Sequence, residues 1–257
     1  MTEDLIYERK GAVGWITFNR PHARNAFTFA MYDRLGEIFE GVKDEQDLKV
    51  LVLTGAGEKA FAAGTDISEF RAFSKPEDAI AYEERGDALM SLIERTPIPT
   101  IAAIAGACTG GGAGIATACD VRIAMSNAKI GFPIARTLGN CLSMNNYARL
   151  AAAFGASRAK DMIFTARLML ADEARTAGFL SEVVDDHATL MSRAAELAEM
   201  LAGFAPLTLA ATKEAFRRLR EGNREGQDLI LSCYMSGDFK EGMDAFLNKR
   251  PPQWTGK

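Results

Sequence analysis

The chain has 257 residues, which suits one large domain or one domain with an appendage. Its residues are 48% hydrophobic and 25% charged, so it can bury enough apolar surface to offset the entropy of ordering, and disorder is excluded. The net charge of −4 provides no global basic field for nucleic acid or an anionic membrane, and we expect it to bind neither.

Three further features favour a cytoplasmic protein without a membrane span. The N-terminal sequence MTEDLIYERK is charged throughout, unlike a signal peptide. The uncharged stretch 96–119 is interrupted by prolines and glycines, which favours a buried strand, turn and helix. The widely spaced cysteines indicate free thiols in a reducing compartment: Cys108, Cys119, Cys141 and Cys233.

Strands and helices alternate in the first half of the chain. Residues 12–19 (AVGWITFN) predict a strand, and Thr28 predicts the N-cap of a helix with Tyr32, Leu35 and Phe39 on one face. Further strands are predicted at 49–54, 100–105 and 121–125, with a helix at 76–95. Strands separated by helices in this way predict βαβ units and a largely parallel sheet.

The second half reads as mostly helical. Past residue 143 helix follows helix, apart from one predicted strand at 180–184. From residue 188 the pattern is helical almost to the end, and Pro251 and Pro252 stop it. A helical end that cannot form a core alone is expected to pack on another subunit or on the sheet.

Several common catalytic patterns are absent from the sequence. It contains no GxxxxGK[ST], no GxSxG and no HExxH, and its only histidines are His22 and His187. We therefore expect no metal and no separate cofactor. Backbone groups, amides and carboxylates are left to carry any chemistry.

A glycine cluster is the first positive signal. In 105–120 (AGACTGGGAGIATACD), three glycines follow a buried strand and precede a helix-forming run. Such a turn exposes backbone N–H groups that can stabilise an oxyanion. The same glycines are equally consistent with a tight turn that needs them only for packing.

Further motifs make the chain resemble a known family. Segment 59–70 (KAFAAGTDISEF) places a second glycine turn after a strand, while NRP stands at 19–21 and NA at 25–26. Together with the glycine cluster, these motifs closely resemble the crotonase, or enoyl-CoA hydratase/isomerase, superfamily. The resemblance continues through Gly139, Arg149 and Leu150, then through 174–180 and 240–243, and so covers nearly the whole chain.

The resemblance implies an α/β fold, the crotonase (ClpP-like) spiral of ββα units with a C-terminal helical trimerisation region. Residues 1–195 would form the core with the CoA and acyl site, and 196–257 the helical oligomerisation region of a homotrimer or hexamer. It also implies an acyl-CoA thioester substrate, with CoA as part of the substrate. The backbone N–H groups of Thr65 and Gly111, beside Gly110, would hold the thioester carbonyl.

The resemblance also places the CoA portion. CoA would pass Ala23, Arg24 and Ala26, with the adenine near Ala63 and Ile67. A neighbouring subunit would contribute Phe246 and Lys249. Arg24 and Lys249 could equally be solvated surface charges, and Asp66 is expected to fix its turn by local hydrogen bonds rather than to perform chemistry.

At two positions the sequence departs from the family. Hydratases carry a pair of glutamates, and here Gly114 and Ile134 stand in their places. Without these proton carriers, the rate of water addition falls by about 10²–10⁴-fold per group. We therefore expect a poor straight-chain hydratase with an apolar acyl cavity, and the isomerases, which need the second glutamate, are disfavoured too.

Nearby residues are the candidates for the remaining chemistry. Asn140 and Ser143 lie in the loop that lines the acyl pocket in the family, and both donate hydrogen bonds. Arg136 could bind a second carboxylate of the substrate or form a surface ion pair. Glu83, on the helix at 76–95, is the best carboxylate candidate, although a solvated acidic face is the default interpretation of this residue.

Three functions stay open at this point. The first is an acyl-CoA-processing lyase or isomerase that stabilises a thioester enolate. The second is a decarboxylase or another carbon–carbon lyase, which needs the oxyanion donors but fewer acid–base groups. The third is a non-catalytic acyl-CoA-binding protein or scaffold subunit.

Overall fold

The computed structural model describes residues 3–45 and 47–257. Its larger sheet has six strands in the order β1-β2-β3-β5-β7-β10, parallel except for the antiparallel pair of β1 and β2. These strands are β1 (Leu5–Lys10), β2 (Val13–Phe18), β3 (Val50–Gly55), β5 (Thr100–Ile104), β7 (Val121–Met125) and β10 (Glu182–Val184).

A second, smaller sheet runs in the order β4-β6-β8-β9. Its first three strands are parallel and the last is antiparallel. The chain passes from a strand of the large sheet to one of the small sheet again and again, which gives the repeating turns of an α/β spiral. The strands are β4 (Ala60–Ala62), β6 (Ala107–Thr109), β8 (Lys129–Gly131) and β9 (Met169–Leu170).

Ten α-helices cover the sheets and form the C-terminal part of the described chain. The site depends on the first four: α1 (Phe29–Gly41), α2 (Pro76–Arg95), α3 (Gly111–Ala118) and α4 (Met144–Phe154). The remaining helices are α5 (Ala156–Phe164), α6 (Ala171–Thr176), α7 (His187–Ala202), α8 (Pro206–Arg220), α9 (Gln227–Tyr234) and α10 (Gly237–Leu247).

Local sequence signals explain the main elements near the site. The Thr28 side chain accepts a hydrogen bond from the Met31 amide and caps α1, as predicted. Helix α2 begins at Pro76, whose fixed φ and missing N–H suit the first helical turn. All six residues of β3 are buried because helices or strands cover both faces of the sheet.

The expected architecture is confirmed, with additions that the pattern did not predict. Edge strand β1 carries several exposed charged residues, so its sequence does not read as a strand. The strands of the small sheet are two or three residues long, too short for a period-two pattern to develop. The single predicted sheet is therefore two sheets.

Helix α7 belongs to the sheet region as well as to the C-terminal part. Its Leu190, Ala194 and Ala198 are buried against Val50 and Ile101 of the large sheet. The expected boundary between 1–195 and 196–257 falls inside this continuous helix. The division into two regions stays a prediction.

Within the described residues, no single helix is both long and apolar enough to cross a membrane. One pair, His187–Ala202 with Pro206–Arg220, meets the length and composition together but is bent by 106°.

Candidate active site

A cavity of about 360 Å³ lies where strands β4 and β6 lead into their turns, between α2, α3 and the loop before α4. Its lining is mostly apolar and includes ten of the residues singled out from the sequence. These are Arg24, Ala63, Thr65, Ile67, Glu83, Gly110, Gly111, Gly114, Ile134 and Asn140.

The first predicted donor, Thr65, lies in a turn that β4 leads into. Gly64 has φ +93°, a conformation that favours glycine. Phe27 donates its N–H to the Gly64 carbonyl (2.8 Å) and accepts from the Asp66 amide (2.8 Å). Because peptide groups alternate along an extended segment, the Thr65 N–H points away from Phe27. Within the described chain this N–H has no hydrogen-bond acceptor.

The second predicted donor, Gly111, is the first residue of α3. Its N–H belongs to the first turn, which has no intrahelical acceptor, and none is found elsewhere in residues 3–45 and 47–257. Gly110 before it has φ +52°. A Cβ added at Gly110 would lie 3.4 Å from the Cα of Gly64, so the two turns pack backbone against backbone. Thr65 and Gly111 therefore line one cavity from adjacent turns.

A chain of three hydroxyl groups runs beside these donors. The Tyr32 hydroxyl lies 2.9 Å from Thr65 Oγ1, and the Tyr82 hydroxyl lies 2.8 Å from the same oxygen. Burial raises the pKa of both phenols above the ordinary tyrosine value. Both rings therefore stay protonated at neutral pH.

The three glycines of the cluster are constrained in different ways. A Cβ at Gly111 would lie 2.2 Å from the Tyr32 hydroxyl, whereas one at Gly112 would lie 2.3 Å from the carbonyl oxygen of Ala62. Gly112 is thus required by packing against backbone, but Gly111 is constrained by one side-chain oxygen. The positive φ of Gly110 is the third constraint.

Glu83 projects from α2 and is the one carboxylate among the described residues that line the cavity. Its Oε2 accepts a hydrogen bond from the Ser143 amide at 2.8 Å. Burial raises the pKa of this carboxyl group, and nearby Asp87 raises it further, although the Ser143 hydrogen bond acts in the opposite direction. The group is therefore more readily protonated than an exposed glutamate.

The loop before α4 places its three candidates differently. Asn140 lines the cavity, and its side-chain amide donates to the Cys141 carbonyl at 3.2 Å. The Ser143 side chain caps α4 by accepting from the Asn146 amide and donates to Asp87 at 2.7 Å, so it is engaged outside the cavity lining. Arg136 is exposed and does not line the cavity.

An ion-pair network stands behind Glu83. Buried Arg149 on α4 donates to Asp87 at 3.0 Å and to both oxygens of Glu94 at 3.1 Å. Glu94 also binds Arg220 of α8. Helices α2, α4 and α8 are thereby joined through buried or half-buried charges. This network holds in place the helix that carries Tyr82 and Glu83.

The residues expected to contact CoA divide into two groups. Arg24, Ala63 and Ile67 line the cavity. Ala23 and Ala26 lie in the neighbouring turn, while Phe246 and Lys249 belong to the exposed C-terminal end, outside the lining. Asp66 also lies outside it, capping the short helix at Ile67–Ala72 and binding Arg20 at 3.0 Å. These hydrogen bonds lower the pKa of Asp66, consistent with a turn-fixing role.

Sequence reasoning missed the hydroxyl chain. Tyr32 was expected on the buried face of α1, and Tyr82 lies on the apolar stripe of α2 beside Gly86. A buried tyrosine hydroxyl usually finds a hydrogen-bond partner, and that was the available signal. The partner, Thr65, lies too far away in sequence to be identified from spacing.

Comparison with known proteins identifies the family. The enoyl-CoA hydratase/isomerase family model matches residues 8–257. A short-chain-enoyl-CoA hydratase of Clostridium acetobutylicum is 34% identical over 255 residues, covering 96% of this chain and 95% of that protein. A carnitinyl-CoA dehydratase of Citrobacter koseri is 35% identical over 266 residues, covering both chains completely.

A solved structure agrees. The crystal structure of an enoyl-CoA hydratase/carnithine racemase from Magnetospirillum magneticum matches with a TM-score of 0.91 and 32% identity, covering 100% of this chain and 97% of that one. The chain belongs to the enoyl-CoA hydratase/isomerase family. Among its described residues, no group of three His, Cys, Asp or Glu side chains is placed to hold a metal ion.

Proposed function

We propose that this protein is an enzyme that converts an acyl-CoA thioester through an enolate, with the N–H groups of Thr65 and Gly111 binding the thioester oxygen. One observation carries the proposal: two N–H groups without acceptors in the described chain belong to adjacent turns of one cavity. Such donors, fixed before the reaction, stabilise charge on oxygen by ~3–4 kcal/mol each.

Glu83 is the proton carrier in this proposal. As a carboxylate it takes a proton from the α-carbon of the thioester. The electron pair of that C–H bond forms the carbon–carbon double bond of the enolate, and the π pair of the carbonyl moves onto the thioester oxygen. Its raised pKa makes it a stronger base than an exposed glutamate and a competent acid for returning the proton. Its Ser143 hydrogen bond fixes one oxygen and leaves the other for the substrate.

We further propose that straight-chain hydration is not the efficient reaction. The positions at which hydratases carry glutamates hold Gly114 and Ile134, and both line the cavity. Met90 lies close to Gly114, with its Cε 3.2 Å from an added Cβ. An apolar surface there favours a bulkier acyl group and gives an attacking water no carboxylate partner.

Assembly and location belong to the same proposal. Phe216, Phe246 and Leu247 of the C-terminal helices are 71%, 83% and 78% exposed in the single chain. Such apolar surface suits burial between subunits of a homotrimer or hexamer. We place the enzyme in the cytoplasm, acting without a cofactor other than the CoA of its substrate.

The decisive experiment deletes one backbone donor against a matched control. All variants carry Tyr32→Phe, which removes the oxygen that would collide with a Cβ at position 111. In this background Gly111→Ala and Gly111→Pro both add a Cβ, but only proline lacks the backbone N–H. Proline is favoured at a first helical position, so α3 should persist. We expect Gly111→Pro to be at least about 100-fold slower than Gly111→Ala on the best substrate of an acyl-CoA panel.

The same panel separates the alternatives. Equal rates for the Pro and Ala variants would refute the donor role of Gly111. Carbon dioxide release from a carboxyacyl-CoA such as malonyl-CoA would favour the decarboxylase. Thermal stabilisation by acyl-CoAs without turnover of any would favour the non-catalytic binder. A Glu83→Gln variant with full activity would remove Glu83 from the mechanism.

A further inference from the structure

We propose that the side-chain hydroxyl of Thr65 is a third hydrogen-bond donor to the thioester oxygen, with Tyr32 and Tyr82 positioning its proton. This inference rests on the proposed function, because it adds a donor to the same oxyanion site. Thr65 would then contact the substrate through its side chain as well as through its backbone N–H.

Counting protons supports this assignment. The three hydroxyl groups carry three protons, but only two hydrogen bonds join them, both ending on Thr65 Oγ1. One proton of the chain is therefore always left to donate elsewhere. A threonine oxygen accepts two hydrogen bonds and donates one. When both tyrosines donate to it, the remaining proton is that of Thr65.

The position of Thr65 Oγ1 suits that donation. It lies 3.5 Å from the place of a Cβ on Gly111, and three covalent bonds separate it from the Thr65 N–H. The hydroxyl thus stands beside both predicted backbone donors. Two hydrogen bonds received from phenols also polarise the Thr65 O–H and make it a stronger donor.

Both tyrosine rings are held so that their oxygens stay on Thr65. The Tyr32 ring packs on Phe27, with 5.1 Å between ring centroids. The Tyr82 ring meets Phe70 edge to face, with 4.9 Å between centroids. Since burial keeps both phenols protonated, each has a proton to donate to Thr65 and neither acts as a base. A negative charge on the substrate oxygen favours the arrangement in which both tyrosines donate to Thr65 and Thr65 donates to the substrate.

The test uses a matched pair at Thr65. Thr65→Val removes the hydroxyl but keeps the side-chain shape and the backbone N–H, whereas Thr65→Ser keeps the hydroxyl and loses the methyl group. The probe is 4-dimethylaminocinnamoyl-CoA, whose absorption band moves to longer wavelength as its thioester carbonyl is polarised. We expect a red shift with wild-type protein and Thr65→Ser, and a clearly smaller one with Thr65→Val.

Kinetics give the second measurement. On the best substrate of the panel, Thr65→Val should lower kcat by roughly 10- to 100-fold with little change in KM, because the hydrogen bond strengthens only as charge develops. Tyr82→Phe should have a smaller effect, since Tyr32 still donates to Thr65. Tyr7→Phe is the control: it deletes a phenol hydrogen bond to Glu45 far from the cavity and should leave kcat unchanged.

Two results would overturn the inference, and they are distinguishable. A wild-type red shift that persists in full in Thr65→Val, with unchanged kcat, would exclude the side-chain donor and leave the backbone donors in place. A probe that binds wild-type protein without any red shift would refute the oxyanion site, and the proposed function would fail with it.

Discussion

The contact between Gly111 and Tyr32 predicts a rescue between two substitutions. A Cβ at Gly111 meets the Tyr32 hydroxyl at 2.2 Å, and ordinary contact begins at 3.4 Å. Tyr32 is buried in the main core and cannot retreat that far. Gly111→Ala should therefore lower the free energy of unfolding by about 1–3 kcal/mol, as overpacking does.

Tyr32→Phe removes the colliding oxygen. The nearest atoms to the added Cβ are then the ring Cζ at 3.4 Å and Thr65 Oγ1 at 3.5 Å, both in ordinary contact. Alone, Tyr32→Phe should cost about 1 kcal/mol for the lost hydrogen bond. Adding Gly111→Ala to it should cost less than about 0.5 kcal/mol more, which gives a coupling energy of roughly 0.5–3 kcal/mol.

Urea unfolding of the four proteins at one fixed protein concentration measures this cycle, because subunit assembly would otherwise shift the midpoints. Gly112→Ala is the matched control. A Cβ at position 112 would lie 2.3 Å from the backbone oxygen of Ala62, so Tyr32→Phe should not reduce the cost of Gly112→Ala. The reasoning fails if Gly111→Ala costs as much with Phe at position 32 as with Tyr.

Four further outcomes are expected. Gly114→Glu combined with Ile134→Glu should raise the rate of crotonyl-CoA hydration at least about tenfold, because the flexible Met90 side chain can move to make room for a side chain at position 114. An unchanged rate in a folded double variant would contradict this prediction. Burial favours the neutral form of Glu83, so the stability that the neutral carboxyl group contributes is lost as pH rises through the raised folded-state pKa of Glu83. The Tm of Glu83→Gln relative to wild type should therefore increase with pH. Arg149→Met should cost about 3–5 kcal/mol in urea unfolding, because buried Glu94 loses one of its two arginine partners and half-buried Asp87 loses its ion pair, and a loss below about 1 kcal/mol would count against it. Light scattering at micromolar concentration should give a trimer or hexamer, not a monomer.

The repeating strand–helix order and the glycine turns could be predicted because each is a local pattern. The strand at 121–125 and the helix at 76–95 match the structure residue for residue. Helix α2 is readable because Pro76 starts it and an apolar stripe runs along it. Strands such as β6, with three residues between two glycine turns, leave no such pattern.

Residues of the candidate site could be predicted mainly where they belong to a family motif. Ten of the seventeen proposed residues line the cavity, and those that do not include the turn residue Asp66 and the loop residue Arg136. The hydroxyl chain was not predictable, because it joins Tyr32, Thr65 and Tyr82 across 33 and 17 residues of sequence. Long-range contacts of this kind depend on how α1 and α2 meet the turn, which sequence periodicity does not encode.

The two ion pairs of Glu94 link the C-terminal helix α8 to the helices that line the candidate active site. Glu94 takes one guanidinium from α4 and another from α8, and it sits near the end of the 20-residue helix α2. Eleven residues earlier, about 16 Å along the same helix axis, stands Glu83. Truncation before Arg220 would leave the buried Glu94 carboxylate with one arginine partner and would loosen helix α2, which holds the proposed proton carrier. If Glu83 carries the proton, subunit contacts, fusion tags or ligands that displace α8 should therefore alter activity without touching the cavity.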